Sequence, residues 1–218
     1  MTIGAFVLSA LAVLVLLGVG QRVLDKMHLT DRAALLLIAL MFVGGLLPDI
    51  DLGLVRVNIG GALIPLGVCI YLLATADENA ERVRGIVGAV LTSAAVYLLD
   101  RLMPSEPETI VLDPIYMCGI AGGAIGWLLG RSRRGAFICG VMGVLLADTV
   151  NAVALWSGGI RQKLILGGAG LFDTAVISGI LAVLLSELAG EAVERFARAR
   201  GARPDNDRVK MPEKEKRR

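Results

Sequence analysis

Two aspartates, Asp148 and Asp173, lie inside long apolar stretches of the chain and are the residues best suited to chemistry. A carboxylate is costly to bury in an apolar membrane segment, so its presence there suggests a functional site. The two stretches are joined by the short loop SGGIRQK and should run antiparallel. At a helical rise of about 1.5 Å per residue, both carboxylates would lie roughly 12–14 Å from the same end of their helices. Two carboxylates at one depth can share a proton, bind a cation or activate water.

Neutral polar side chains accompany the aspartates and could complete such a site. Asn151 follows Asp148, Thr174 follows Asp173, and Asn58 opens another apolar stretch. Their oxygens suit a hard cation, and they could equally hydrogen-bond a buried carboxylate. The alternative is that they satisfy the aspartates and only hold helices together.

Two glycine-rich segments, VNIGGALIPLG (57–67) and LGGAGLFDTAVISG (166–179), predict helices that are broken near one membrane surface. Glycine pairs weaken a helix and proline removes a backbone hydrogen bond. Paired broken helices are typical of transporter binding sites, and the likeness of the two segments suggests an inverted repeat. The alternative is that the glycines merely permit tight packing. The candidate ion- or substrate-binding positions in these segments are Gly60, Gly61, Pro65, Gly168 and Gly170.

The elements that must position these residues are membrane-spanning helices. The chain is 56% hydrophobic, with 27 glycines in addition, which exceeds what a soluble domain usually carries. Its apolar stretches approach the length of about 20 residues that a bilayer requires. The sequence predicts an all-α fold, a polytopic transmembrane helical bundle of about seven spans: 3–20, 33–47, 58–76, 85–99, 114–130, 136–156 and 164–185.

The distribution of basic residues predicts the orientation. Eighteen of the 22 lysines and arginines fall in alternate loops and in the tail, and four fall on the other side. Because basic loops stay in the cytoplasm, the amino terminus is predicted outside and the carboxyl terminus inside. We expect a bundle domain over 1–190 of a prokaryotic cell membrane protein. A charged cytoplasmic tail, 191–218, would be partly helical and then disordered.

Several classes of site and partner are disfavoured. His28 is the single histidine, which disfavours histidine-clustered metal sites and catalytic triads. The three cysteines lie in apolar stretches without a CxxC pair and are interpreted as packing residues. No phosphate-binding GxxxxGK[ST] motif is present. We therefore predict no cofactor and leave any metal unspecified. The predicted partners are the lipid bilayer and a small cation or membrane-embedded substrate; the basic tail suits anionic lipid, not nucleic acid. Three further carboxylates, at interfacial positions, could form an outer acidic vestibule: Asp49, Asp51 and Asp100.

The segments VNIGGALIPLGVCIYLL and GGAGLFDTAVISGILAVLL resemble an uncharacterised prokaryotic membrane family, domain-of-unknown-function family 1614, over about 30–185. That resemblance implies a membrane protein and no activity. A weaker resemblance is to the GxGD intramembrane aspartyl proteases, which place one aspartate late in a helix and a second after Gly-x-Gly. It implies a catalytic role for Asp148 and Asp173. The chain departs from that pattern because Leu171 and Phe172 separate Gly168-Ala169-Gly170 from Asp173.

Three functions follow as hypotheses. The first is cation- or proton-coupled translocation of a small solute or ion, with Asp148 and Asp173 as ligands or proton acceptors. The second is an intramembrane aspartyl protease in which the same two residues act as a shared-proton dyad. The third is a non-catalytic component of a membrane assembly.

Overall fold

The computed structural model describes residues 31–76, 78–102, 114–130, 132–168, 170 and 173–199. This part of the chain is mostly helical, as predicted. The predicted span 3–20, residues 103–113 and the residues after 199 lie outside the described residues. The described helices are α1 (Asp31–Leu46), α2 (Ile64–Ala74), α3 (Asn79–Leu102), α4 (Pro114–Gly130), α5 (Arg133–Ser157) and α6 (Thr174–Ala199).

Four helices occupy the positions of predicted spans. α1 and α4 match 33–47 and 114–130 closely, whereas α3 and α5 extend beyond 85–99 and 136–156 at both ends. These two helices are longer than predicted because they include polar residues at their ends, whereas the predicted spans were bounded by apolar residues. In α3, Glu81 lies in the first turn and Arg101 in the last, where each charge is favourable to the helix dipole.

The other two predicted spans are interrupted, and the all-α prediction needs a correction. A π-helical segment, Ile59–Leu63, precedes α2 within 58–76. Within 164–185 the chain forms a short strand and a turn before α6 begins. β-branched residues precede each glycine pair and favour extended backbone, and the glycines then allow the chain to turn. The described residues therefore include a small sheet beside the helices.

The sheet has three short strands, β1 (Ile50–Asp51), β2 (Val55–Val57) and β3 (Leu164–Leu166), in the order β1-β2-β3. β1 and β2 form an antiparallel hairpin. Its turn is closed by Gly53, whose φ is +90° and whose amide donates to Asp51 Oδ1 at 2.9 Å. β2 and β3 are parallel, with Val57 opposite Leu166. The sheet thus joins two distant parts of the chain at one end of the bundle.

Helix α5 lies at the centre of the described bundle and packs against α3, α4 and α6. Gly140 and Gly143 allow these close approaches, since a Cβ at Gly140 would lie 2.8 Å from Gly179 Cα and one at Gly143 would lie 2.5 Å from Thr92 Cγ2. Gly126 of α4 packs against Ala136 in the same way. Gly85 also packs on Ile138, so α3 runs parallel to α5. Gly122 packs on Gly140, and Arg133 pairs with Glu187, so α4 and α6 run antiparallel to α5.

Much of the helix surface is apolar. α3 and α5 are long and apolar enough to cross a membrane, and shorter apolar stretches occur in the other described helices. Large side chains are exposed on several of them, among them Leu36, Phe42, Ile70, Val90 and Leu128. Exposed apolar surface of this extent indicates contact with an apolar environment.

Charged side chains join three helices at the end of the bundle where α5 begins. Ser132 caps α5 and donates to the carboxylate of Glu81 at 2.8 Å. The buried Arg134 guanidinium lies 3.8 Å from the same carboxylate. Arg133 pairs with Glu187 of α6. We call this the α5-start end; the sheet lies at the opposite end.

Candidate functional site

The parallel pairing of β2 and β3 brings the two glycine-rich segments together. Beyond the strands, the amide of Asn58 donates to the carbonyl of Leu166 at 2.9 Å. Both segments therefore enter their helices from the sheet end of the molecule. This arrangement contradicts an inverted repeat, because the strands that open the two segments point in the same direction.

Asn58 connects the first glycine segment to a carboxylate. Its side chain is buried, with 3% of its surface exposed. The side-chain oxygen accepts a hydrogen bond from the amide of Gly61 at 2.9 Å and so caps the π-helical segment. The side-chain nitrogen donates to Asp49 Oδ1 at 2.8 Å. Asn58, predicted as a neutral ligand, thus holds Asp49 against the glycine segment.

The glycines of the two segments pack against each other and against α1. A Cβ at Gly60 would collide with the backbone of Gly45 in α1. A Cβ at Gly61 would collide with the carbonyl of Gly167, and one at Gly167 would collide with Ala62. Backbone atoms of neighbouring segments therefore fill the space beside Gly60 and Gly61. This agrees with the alternative prediction that the glycines permit tight packing. We call this contact the glycine junction.

The other candidates in these segments lie around the glycine junction. Pro65 is buried at the start of α2, directly after the π-helical segment, and it has no amide hydrogen to donate to the preceding turn. Gly170 has a φ of +60° and packs close to Gly45 of α1. Gly168 is exposed at the surface of the turn. The structure thus places Gly170 inside the junction and Gly168 outside it.

Asp173 lies immediately before α6, whereas the sequence placed it about nine residues inside a helix. Its Oδ1 accepts a hydrogen bond from the amide of Ala175 at 3.0 Å, and its backbone carbonyl accepts one from Ile177. Asp173 therefore caps the helix, a role for which aspartate is favoured. Asp173 lies at the start of the helix and not inside it because the preceding residues form a turn, in which Gly167 and Gly170 both have positive φ.

Asp148 lies in the apolar helix α5 and is half-buried. The negative charges of Asp173 and Asp100 both act on its carboxylate. The sequence predicted the neighbourhood of Asp148 and Asp173 but interpreted Asp100 as an interfacial residue. Asp100 lies near Asp148 because α3 packs parallel to α5. This packing aligns Thr92 with Gly143 and brings the end of α3 to the level of Asp148. We call Asp100, Asp148 and Asp173 the carboxylate cluster.

The neutral polar side chains near the aspartates differ in whether they are already hydrogen-bonded within their own helix. Asn151 is half-buried in α5, one turn after Asp148, and Thr174 is half-buried in the first turn of α6. The hydroxyl of Thr149 donates to the carbonyl of Leu145 at 2.7 Å and is engaged within its own helix. Asn151 and Thr174 are therefore the neutral candidates close in sequence to Asp148 and Asp173, whereas the hydroxyl of Thr149 is already engaged.

The family described as Protein of unknown function (DUF1614) matches residues 6–185. The chain belongs to this family. The match spans the carboxylate cluster, both glycine-rich segments and the sheet, and it ends within α6. It begins earlier than the resemblance expected from position 30. No curated protein and no solved structure matches the chain.

The β1–β2 hairpin of this DUF1614 protein carries a separate group of charges. Lys163 Nζ lies 2.9 Å from Asp51 Oδ2, and Arg56 lies 3.5 Å from the same oxygen. The hydrogen bonds from Lys163 and from the amide of Gly53 lower the pKa of Asp51 to about 2. Asp51 is thus an ionised, exposed carboxylate that is already paired with cations.

The carboxylate cluster of the DUF1614 chain is not a multidentate metal centre. Over the residues that the structure describes, no group of three or more His, Cys, Asp or Glu side chains is arranged to hold a metal ion. Such an arrangement suits a proton or a cation held by one carboxylate with neutral oxygens.

Proposed function

We propose that this protein is a multi-pass cell membrane protein that carries a proton or a small cation across the bilayer, with Asp148 as the binding carboxylate. The observation that supports this function most is the position of Asp148. It is half-buried in the apolar helix α5 under the negative charges of Asp173 and Asp100. In a membrane such a group is stabilised by taking up a proton or a cation, which lowers the repulsion among the three.

The bundle geometry supports the membrane orientation. α3 and α5 run parallel and α4 and α6 run opposite to them, as four consecutive crossings of a bilayer require. Eighteen of the 22 lysines and arginines belong to the tail and to the loops on the side of the α5-start end, whereas Arg56, Arg101, Arg161 and Lys163 belong to the sheet side. With basic residues inside, the carboxylate cluster faces the outer half of the membrane and the carboxyl terminus faces the cytoplasm.

Flux measurements on Asp148→Asn test this function. We expect the purified protein in liposomes to carry protons or sodium, followed by dyes for internal pH and sodium under an imposed gradient and potential. Asp148→Asn should reduce the flux to that of protein-free liposomes, since asparagine cannot take up a proton or balance a cation.

The matched control is Asp51→Asn, which removes an exposed carboxylate of the β1–β2 hairpin. We expect its flux to equal that of the wild type. Equal flux in the wild type and Asp148→Asn, or no flux above background in the wild type, would contradict the proposed function.

A second candidate is intramembrane aspartyl proteolysis, favoured by the electrostatic proximity of Asp148 and Asp173. One carboxylate would accept a proton from water while the other donates one to the leaving amide. Asp148→Glu distinguishes the two functions. A transporter should retain part of its flux because glutamate still binds a proton, whereas a protease should lose cleavage of a membrane-embedded peptide because the carboxylate is displaced.

A further inference from the structure

A cleft of about 240 Å³ opens at the α5-start end, bounded by α3, α4 and α5. The polar part of its lining is Glu78, Glu81 and Arg84 at the start of α3 and Ser132, the residue that caps α5. The cleft is smaller than the roughly 300–1,000 Å³ of pockets that enclose a whole drug-sized ligand. Its size and lining therefore suit one small polar group.

The charges in this cleft are separated and leave no net charge. Glu81 is already engaged, because Ser132 donates to its carboxylate and the guanidinium of Arg134 lies 3.8 Å away. The side chains of Glu78 and Arg84 are exposed, and within the described part of the chain neither forms a hydrogen bond or an ion pair. One carboxylate and one guanidinium thus remain for a ligand.

A ligand that satisfies both groups carries a negative and a positive charge. The guanidinium of Arg84 suits phosphate oxygens, which it can bind in bidentate geometry. The carboxylate of Glu78 is an acceptor and suits an ammonium group, which donates up to three hydrogen bonds. The amino-terminal end of α5, which lines the cleft at Ser132 and Gly135, adds the partial positive charge of the helix dipole and favours the phosphate. The lining therefore fits a zwitterion that contains a phosphate and an amine.

An exposed apolar stripe continues from the cleft along α3. Val87 and Leu91 follow Arg84 by three and seven residues, so all three lie within about 60° of each other around the helix. The side chains of Val87 and Leu91 are 44% and 48% exposed. Leu91 lies about 10 Å along the helix from Arg84 at 1.5 Å per residue. A charged group followed by an apolar stripe matches a phospholipid, in which acyl chains follow the headgroup, and not a small soluble zwitterion.

We propose that this cleft binds the headgroup of a zwitterionic phospholipid with a primary amine, phosphatidylethanolamine, from the leaflet at the α5-start end. Arg84 binds the phosphate, Glu78 accepts hydrogen bonds from the ammonium, and an acyl chain lies along Val87 and Leu91. The inference rests on the membrane placement in the proposed function and is independent of ion transport.

Native mass spectrometry of the detergent-purified protein tests the selectivity. Phosphatidylethanolamine, phosphatidylcholine and phosphatidylglycerol with identical acyl chains are added at equal concentration. We expect the ethanolamine lipid to bind about 10-fold more tightly than the other two, the lower range for a hydrogen bond to a charged group. The reason is that choline has no N–H to donate to Glu78, and glycerol has no positive charge.

Two substitutions assign the headgroup contacts. Arg84→Gln should weaken binding of the ethanolamine lipid about 10-fold, because it removes the charge beside the phosphate. Glu78→Gln should remove the preference for ethanolamine over choline. Arg101→Gln is the control, since Arg101 is an exposed arginine at the other end of α3, and its binding should equal that of the wild type. Size-exclusion profiles establish that all variants are folded.

Several results would overturn this site. They are equal binding of the three lipids, equal binding by the wild type and Arg84→Gln, and tighter binding of phosphatidylglycerol than of phosphatidylethanolamine. Free phosphoethanolamine that binds as tightly as the lipid would identify a soluble ligand and overturn the lipid as occupant. None of these results alters the flux expected of the wild type and of Asp148→Asn, so failure of the lipid site is distinct from failure of the proposed function.

Discussion

Replacement of Gly167 by alanine is expected to give the largest loss of stability of any single methyl addition at the glycine junction. Gly167 has a φ of +71°, in the left-handed region that costs other residues roughly 1–2 kcal/mol. A Cβ there would also collide with the backbone of Gly61 and Ala62. Backbone cannot rotate away as a side chain can, and overpacking of this kind costs about 1–3 kcal/mol more. We expect Gly167→Ala to lower the free energy of unfolding by about 3 kcal/mol.

Gly159→Ala is the matched control for this prediction. Gly159 has a φ of +84°, but a Cβ there would have nothing within 4 Å. It therefore carries the backbone strain without the collision, and its cost should be only about 1 kcal/mol. Thermal unfolding of both variants in detergent measures the difference. Equal melting temperatures would show that the two glycine segments do not pack as described.

Asp173→Asn should abolish ion flux without a loss of stability. Asp173 caps α6 through a hydrogen bond to the amide of Ala175, and asparagine caps helices as well as aspartate does. The substitution therefore keeps the cap and removes the charge beside Asp148. We expect flux at the level of protein-free liposomes and a melting temperature close to that of the wild type.

Asp173→Ala separates the two roles of this residue. It removes the charge and the cap together, so it should lose flux in the same way and also lose about 1 kcal/mol of stability. If Asp173→Asn transports normally while Asp173→Ala is merely less stable, Asp173 is a capping residue and the carboxylate cluster is not the ion site.

The sequence predicted the positions of most described helices because apolar length alone decides them. It also predicted that Asp148 and Asp173 lie at one depth, since a short loop joins their two antiparallel segments, and a shared site for them stays a prediction. It could not predict that 164–185 begins as a strand and a turn, because β3 forms only by pairing with β2, more than a hundred residues away. The same long-range pairing displaced Asp173 from the interior of a helix to its cap.

Two carboxylates near the candidate site, Asp100 and Asp49, were interpreted from the sequence as parts of an outer acidic vestibule and not as neighbours of the candidate residues. Asp100 joins the cluster only because α3 packs parallel to α5 through Gly143 and Thr92. Asp49 is held by the side chain of Asn58, a contact that depends on how the first glycine segment folds. The spacing of residues along the sequence predicts neither the proximity of Asp100 to Asp148 nor the contact of Asp49 with Asn58. Glycine content, in contrast, was visible in the sequence, but only the structure shows that Gly61 and Gly167 pack on each other.

Cross-linking between positions 148 and 173 tests the central claim most directly. The three native cysteines are replaced by alanine, and cysteines are placed at Asp148 and Asp173. Bifunctional thiol reagents of increasing length are then applied to native membranes. A second variant pairs position 148 with Leu188, an exposed residue of α6 about 22 Å along the helix from Asp173. A shared site predicts efficient linking of 148 to 173 by the shortest reagents and none of 148 to 188. Failure to link 148 to 173, with both cysteines reactive toward a monofunctional reagent, would contradict a shared carboxylate site.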